Sequence, residues 1–320
     1  MYRIGVDLGG TNIAAGIVDS EYRILKKKSV PTRAKERTGE EIVAAIVELC
    51  KELVCEFGID FSEIEAIGVG SPGVANSRDG VVGYCSSLPF DDLPITKMIG
   101  EATGVSSVHV ENDANAAAWG EAIAGAAKGT SDSVMITLGT GVGGGVIINN
   151  RLVSGFNFAG GELGHIVIEK GGVPCDCGRR GCWEAYSSAT ALVRMTKEKM
   201  EECRKTGRKT RMESMAAERG KVSGRTAFDA MREGDDAARE VVDKYLSYLA
   251  TGITNIINVF QPEVLSIGGG VSGEGDNLLK PILPMILREV YGNGFVQPTK
   301  IRIAELGNDA GIIGAAYLGV

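Results

Sequence analysis

The chain has 320 residues, 44% hydrophobic and 23% charged, with a formal net charge of −7. That length supports about two domains with well-buried cores. An acidic balance with no basic tract argues against a nucleic-acid surface, and no apolar run reaches the ~18 residues that would suggest a membrane helix.

Glycine is the compositional anomaly. Its 45 residues gather in short runs, as where backbone approaches a ligand or a turn needs positive φ. The chain opens on RIGVDLGGTNIAAGIVDSEYRILKKKS, a glycine-interrupted strand from almost the first residue, so no signal peptide is expected. An alternating strand runs into Asp7-Leu-Gly-Gly-Thr11, a second strand follows, Asp19-Ser20 is predicted as a tight hairpin turn, and a third strand begins. Thr38-Gly-Glu-Glu41 reads as a capping box opening a helix with Ile42, Ile46, Leu49 and Leu53 on one stripe, closed by Gly58. A strand EAIGVG then leads to Ser71-Pro-Gly73, and a short helix follows Pro94. Strand VSSVHVE runs into Glu111-Asn-Asp113-Ala-Asn and the helix AAAWGEAIAGAA. Asn112 and Asp113 thus fall at a strand-to-helix junction. The helix dipole favours an ionised carboxylate there, and either side chain also suits a helix cap.

About 130 residues later SVMITLGTGVGGGVIINNRLVSG repeats the opening plan. A strand meets Gly139-Thr-Gly-Val-Gly143, another follows, Asn149-Asn150 turns, and a third begins. Two glycine-loop hairpins imply two lobes of related design, each able to offer backbone N–H groups to a phosphate; glycines that only form bulges are the alternative. Gly139, Gly141 and Gly144 also fit G-x-G-x-x-G, but that fingerprint needs a helix next, and GVIINN reads as strand and turn. No G-x-x-x-x-G-K-[ST] segment exists either.

The densest chemistry lies in GGELGHIVIEKGGVPCDCGRRGCWE, from Gly160 to Glu184. His165, Cys175, Cys177 and Cys182 form a His/Cys3 set with knuckle spacing, and four such ligands close a zinc shell with no place for water. Three small buried thiols, or a Cys175–Cys182 disulfide, are the alternatives. Glu162, His165 and Glu184 supply polar groups able to converge on a hydroxylated ligand. The other cysteines, Cys50, Cys55, Cys85 and Cys203, are scattered as free thiols are in a reducing compartment, so the cytoplasm is expected. Cys50 and Cys55 are expected to be buried in the first helix. His109, Trp119 and Trp183 read as packing residues. Residues 189–233 read as charged helices facing solvent or a partner. A long helix then ends at Pro262, strand VLSIGGG follows, and NDAGIIGAAYLG closes the chain as a small-residue helix.

G-E-x-G-H followed by C-x-C-G-x-x-G-C-x-E, both present without a gap, resembles the ROK family of sugar kinases and sugar-responsive regulators. The resemblance runs from the first strand to the last helix. It implies an α/β protein of the actin-like ATPase, RNase H-like fold, with a ligand cleft between two lobes. The small lobe would span 1–116, with the C-terminal helix 308–320 packing back on it, and the large lobe 117–307 would carry the zinc-bound sugar loop. The implied reaction is ATP-dependent phosphorylation of a hexose at its 6-hydroxyl, glucose first, with N-acetylmannosamine, fructose or allose as alternative acceptors. By the same resemblance Asp113 is the catalytic base, and Asn112 and Gly73 join Glu162, His165 and Glu184 at the sugar. Asp7 acts on Mg²⁺ largely through water, Gly9, Gly10, Thr11, Thr140 and Gly141 contact phosphates, and Gly269 and Gly270 form the adenosine loop. A homodimer or homotetramer is expected.

One segment departs from the family. Tyr84-Cys-Ser-Ser87-Leu-Pro stands where these kinases commonly have Asn-Leu, and serine lacks the paired donor and acceptor of asparagine, which bears on the choice of hexose. The family's sugar-sensing regulators carry a helix-turn-helix before the first phosphate hairpin. Four residues precede Gly5 here, so the enzyme is expected over the regulator.

Overall fold

A computed structural model describes residues 1–85 and 87–320 of the chain. Strands β1 (Tyr2–Leu8), β2 (Asn12–Val18) and β3 (Ile24–Pro31) form an antiparallel meander. Ile4, Val6 and Leu8 point from β1 into the core at the two-residue period of a strand. The β2–β3 connection is not the two-residue Asp19-Ser20 turn expected from the sequence. It is a five-residue loop, Asp19 to Arg23, in which Asp19 Oδ1 accepts the amides of Glu21 and Arg23, both at 2.9 Å, and Tyr22 takes φ 63°. A two-residue turn of the favoured kind needs positive φ at both central positions, which Ser20 does not readily supply; the longer loop confines that conformation to one residue.

Helix α1 (Gly39–Phe57) starts at the Thr38 capping box and ends at Gly58, φ 81°. It buries Ile42, Ile46, Leu49, Cys50 and Leu53. Cys55 is exposed, contrary to expectation, because five residues of helix turn it about 140° away from Cys50. Next come β4 (Ile64–Ser71), parallel to β1, and a small antiparallel sheet of β5 (Val74–Asn76), β6 (Val81–Tyr84) and β7 (Asp91–Leu93). After α2 (Ile95–Thr103), β8 (Val108–Asn112) runs parallel to β4 and passes directly into α3 (Asp113–Ala124). Strand β8 begins later than the apolar run VSSVHVE suggested.

The second hairpin comprises β9 (Ser133–Leu138), β10 (Val142–Ile148) and β11 (Arg151–Leu152). Asn149 and Asn150, at φ 52° and 58°, make the expected two-residue turn. A short helix α4 (Glu184–Ser187) leads to α5 (Ala189–Thr206), α6 (Arg211–Glu218), α7 (Thr226–Arg232) and the long α8 (Asp236–Phe260). The charged segment is less superficial than its weak periodicity suggested. Leu192, Met195 and Met200 of α5 are buried, and Phe228 of α7 packs edge-on against Tyr245 of α8, ring centroids 6.5 Å apart. Its outer charges pair off, Lys199 and Arg208 both on Glu240. Strand β12 (Val264–Gly268), α9 (Asp276–Glu289), β13 (Lys300–Ile303) and α10 (Ala310–Ala316) complete the chain.

The two five-stranded sheets have orders β3-β2-β1-β4-β8 and β11-β10-β9-β12-β13. In each, a glycine-loop hairpin and its third strand fill one side and two later strands the other. The duplication legible in the hairpins therefore extends to whole sheets. The chain divides into two compact units, one of Met1–Met135, Gly145–Gly161 and Ala304–Val320, the other of Ile136–Gly144 and Glu162–Ile303. Among the described residues no helix is long and apolar enough to cross a membrane.

In the first unit α10 lies against β1, β4 and α3 at backbone distance. A Cβ on Gly5 would sit 1.8 Å from the Ile312 carbonyl oxygen, and one on Gly68 1.7 Å from that of Ala315. The chain before α10 is anchored by Glu121 of α3, fully buried, whose carboxylate accepts the amides of Ala126, Glu305 and Leu306 at 2.7, 3.1 and 2.8 Å. In the second unit the buried Trp183 indole lies on Gly252 of α8. A methyl group at Gly68 must push helix backbone off the sheet, so Gly68→Ala should destabilise by about 3 kcal/mol or more. Gly224→Ala, whose methyl would meet only Ala189 Cβ at 3.9 Å, should stay within about 0.5 kcal/mol. Urea unfolding of both variants checks this; equal midpoints would show that the helix–sheet contact yields.

Candidate active site

In the first unit, β1 delivers Asp7 to its C-terminal end and the chain turns through Gly9, Gly10 and Thr11. The Gly9 amide donates to Asn12 O at 2.9 Å. Thr32, at the end of β3, ties the turn down: its hydroxyl donates to Gly9 O at 2.6 Å and its amide to Thr11 O at 2.8 Å. Nothing in the sequence pattern points to Thr32, which lies outside the glycine run.

Beside β1, the parallel strands β4 and β8 end in the Ser71-Pro-Gly73 turn and the Asn112–Asp113 junction. Gly73, at φ 92°, has no room for a side chain, since a Cβ would lie 2.1 Å from Tyr84 O. Asn112 is the helix cap: its Oδ1 accepts from the Ala114 and Asn115 amides at 2.9 and 3.2 Å, and its Nδ2 donates to Gly73 O at 3.2 Å. Asp113 Oδ1 accepts from the Ala114 amide at 2.8 Å. The buried Glu111, another residue the motif reading passed over, accepts from the Asn112 amide and Asn115 Nδ2 and so braces the junction. Its signal was the four-residue spacing from Glu111 to Asn115.

Burial pushes the Asp113 carboxyl above the ordinary aspartate range, partly offset by the Ala114 amide. Asp7 rises to about 6, through burial first and the Asp113 charge second. Two half-buried carboxylates, the charge of one raising the pKa of the other, are a feature of functional sites. Ser87 also belongs to this unit, its Cβ 3.7 Å from where a Cβ on Gly10 would lie and its hydroxyl 3.3 Å from Cys85 Sγ. Its neighbour Ser86 is outside the described residues.

In the second unit, β9 enters the loop of Gly139, Thr140 and Gly141, where the Gly139 amide donates to Gly141 O at 3.0 Å. The start of α5 ties this loop down: the Ala189 amide donates to Gly139 O at 2.8 Å and the Thr190 hydroxyl to Thr140 O at 2.7 Å. Glu184 Oε2 accepts the Val142 amide at 2.9 Å. Gly269 leaves β12 at φ 81° against the backbone of Leu138, while Gly270 faces open space. Glu162 caps a single 3₁₀ turn that carries His165, whose amide donates to Glu162 O at 3.1 Å.

His165, Cys175, Cys177 and Cys182 come together, with all four candidate ligand atoms within 4.8 Å of one another. The three cysteines are free thiols, so the disulfide alternative is not formed, and only Cys182 is buried. Cys177 and Cys182 sulfurs are 3.6 Å apart, and Cys175 Sγ is 3.7 Å from His165 Nδ1. Tetrahedral zinc with bonds of ~2.3 Å puts neighbouring sulfurs ~3.8 Å apart, so the cluster is already metal-sized. Burial pushes the Cys175 thiol up to about 12, so a bound cation must displace its proton. The Trp183 amide donates to Ile166 O at 2.8 Å and closes the knuckle.

Residues 3–319 match the ROK family. A glucokinase from Thermotoga maritima is 37% identical over 316 residues, covering 98% of this chain and 96% of its own. One from Halalkalibacterium halodurans is also 37% identical, covering 98% and 94%. The crystal structure of a ROK family glucokinase from Streptomyces griseus, in complex with glucose and AMPPNP, superposes with TM-score 0.81 at 36% identity over 99% of both chains. With the duplicated sheets, this similarity gives the actin-like ATPase fold.

The raised Asp7 pKa makes a prediction about stability. Folded Asp7 holds its proton more tightly than unfolded Asp7, so the stabilisation is complete below the unfolded value of 3.8 and is lost as pH rises through about 6. Asp7→Asn has no charge to bury. At about pH 7 the unliganded variant should exceed the parent by up to about 3 kcal/mol, and the difference should close by about pH 4. Denaturant titrations across that range measure it; a variant no more stable than the parent at neutral pH would mean Asp7 is not strained.

Proposed function

The chain belongs to the ROK family, and we propose that it acts as a glucokinase. It transfers the γ-phosphoryl group of ATP to the 6-hydroxyl of glucose. The observation that carries the chemistry is Asp113, a half-buried carboxylate with a raised pKa, fixed just after a parallel strand by a helix cap that Asn112 supplies. Similarity to glucokinases along 98% of the chain supports glucose and ATP as the substrate pair.

Phosphoryl transfer needs positioning and charge neutralisation more than strong base catalysis. Asp113 takes the proton of the attacking hydroxyl as the bond to phosphorus forms, and its raised pKa improves it as a base. Asn112 spends Oδ1 on the cap and one N–H on Gly73, which leaves its second N–H for a sugar hydroxyl. Glu162, His165, Glu184 and the Gly73 turn hold the remaining hydroxyls. Gly9, Gly10, Thr11, Thr140 and Gly141 receive the phosphates, and Gly269 and Gly270 the adenosine. In both loops the bonds from Thr32, Ala189 and Thr190 occupy carbonyls, which favours amides turned toward an anion.

The donors suit two metals. Asp7 and Asp113 repel each other, a fit for a divalent cation, and Asp7 would hold Mg²⁺ largely through water. That ion neutralises phosphate charge when bound. His165, Cys175, Cys177 and Cys182 would hold Zn²⁺ in a closed shell that shapes the loop. Ser87 at the Gly10 turn is the residue on which the choice among glucose, N-acetylmannosamine, fructose and allose turns. The same reading assigns it to glycolysis in the cytoplasm, which its free thiols support, and to a homodimer or homotetramer, which the family resemblance supports.

Protein purified without added zinc should carry about one zinc per chain and lose sugar binding when stripped under strong chelation; a metal-free, fully active preparation would sink the zinc assignment. Asp113→Asn should lower turnover roughly 10²–10⁴-fold in an ADP-release assay over a hexose panel. Its fold should persist, because Asn112 supplies the cap, and sugar affinity should stay within about tenfold. A folded variant with near-parental turnover removes Asp113 as the base, and turnover on another hexose alone replaces glucose.

A further inference from the structure

Glu184 stands between two features that the sequence kept apart. Its Oε2 accepts the Val142 amide at 2.9 Å, and its Oε1 lies 3.7 Å from the thiol of Cys175, which donates to it. The fit beside the loop is close: a Cβ on Gly141 would lie 2.0 Å from Glu184 Oε2. The residues after Glu184 extend the attachment, with the Ala189 amide on Gly139 O and the Thr190 hydroxyl on Thr140 O. Every residue of the loop from 139 to 142 is therefore either bonded to, or packed on, the segment 184–190. That segment begins two residues after Cys182, a member of the His/Cys3 cluster. A glutamate serving only a sugar has no need of the loop amide.

We propose that Glu184 is a positioning residue through which the His165/Cys175/Cys177/Cys182 metal site sets the affinity of the second glycine loop for nucleotide phosphates. It does so in addition to any bond it makes to sugar. This rests on reading the Gly139–Val142 loop as a phosphate site. Metal bound to the cluster fixes Cys175 and Cys182, and the backbone between them and Glu184 fixes the carboxylate. The carboxylate holds the Val142 amide, and with it the turn that aims the Thr140 and Gly141 amides. Without metal, three thiols and an imidazole have no common centre, and the backbone that runs from Cys182 to Glu184 loses its anchor.

The test is calorimetric titration with ADP, without sugar, on zinc-loaded and zinc-stripped protein. Stripping should weaken ADP binding about tenfold, the scale of one charge-assisted hydrogen bond. Zinc-loaded Glu184→Ala should show the same loss, and stripping that variant should add less than about twofold, since both changes break one connection. Zinc-loaded Glu184→Gln still accepts the Val142 amide, so it should bind ADP within about threefold of the parent while losing sugar affinity. Losses that multiply, or an ADP affinity indifferent to stripping, overturn the proposal. If stripping unfolds the chain, equal ADP affinity of zinc-loaded Glu184→Ala and Glu184→Gln overturns it instead. Gly139→Ala separates the two readings, because its methyl would meet nothing within 4 Å in the protein but would face an incoming phosphate. If that variant binds ADP like the parent, the phosphate-loop reading fails and the proposal with it. If it binds ADP weakly while stripping changes nothing, only the role of Glu184 fails.

Discussion

Helix α10 rests directly on sheet backbone at Gly5 and Gly68, and the half of the first unit that holds Asp7 and Asp113 depends on that contact. Gly5 and Gly68 let the helix touch β1 and β4, and Gly314 lets it touch α3, where a Cβ would lie 1.7 Å from Ala116 O. Interiors are packed too tightly to absorb a methyl group at such distances. The consequence reaches both aspartates. A Cβ on Gly311 of α10 would lie 3.0 Å from Asp7 Cγ, and one on Gly70 of β4 would lie 3.5 Å from Asp113 Cα. Small residues at these positions let two half-buried carboxylates from different elements lie near each other; desolvation raises both pKa values, and the Asp113 charge raises that of Asp7 further.

The same economy governs the two glycine loops. Each turn is stitched by its own amide, Gly9 to Asn12 and Gly139 to Gly141, and each is tied by neighbours that bond its carbonyls. Thr32 does this in one unit, and Ala189 with Thr190 in the other. Backbone groups need partners somewhere. Occupying the carbonyls makes the remaining amides the natural seat of an anion. The partly desolvated charge of Asp7 costs stability, as charges at functional sites commonly do.

Much of this was legible without coordinates. Turn chemistry announced the Asn149-Asn150 hairpin, the Thr38 box and the Gly58 stop, because caps and tight turns are local and need only adjacent residues. Cysteine spacing brought His165 into one cluster with Cys175, Cys177 and Cys182, since a knuckle is also nearly local. Local reading failed where competition was nearby. Asp19 captured the amides of Glu21 and Arg23 and lengthened its turn, and ion-pair rows along α5 masked the apolar face that holds Leu192 and Met195.

By itself the sequence determined the element types, the duplicated glycine hairpins, the His165/Cys175/Cys177/Cys182 grouping and the strand-to-helix placement of Asp113. Each of these is written in residues within one or two turns of each other. Only the tertiary structure decided that Asn112 is the cap, that Thr32 braces the first loop, and that Glu184 grips the Val142 amide. Those contacts join residues 23 to 42 positions apart, or turn on which of two adjacent side chains reaches an amide first. No periodicity encodes such choices, because they are set by packing distances between elements.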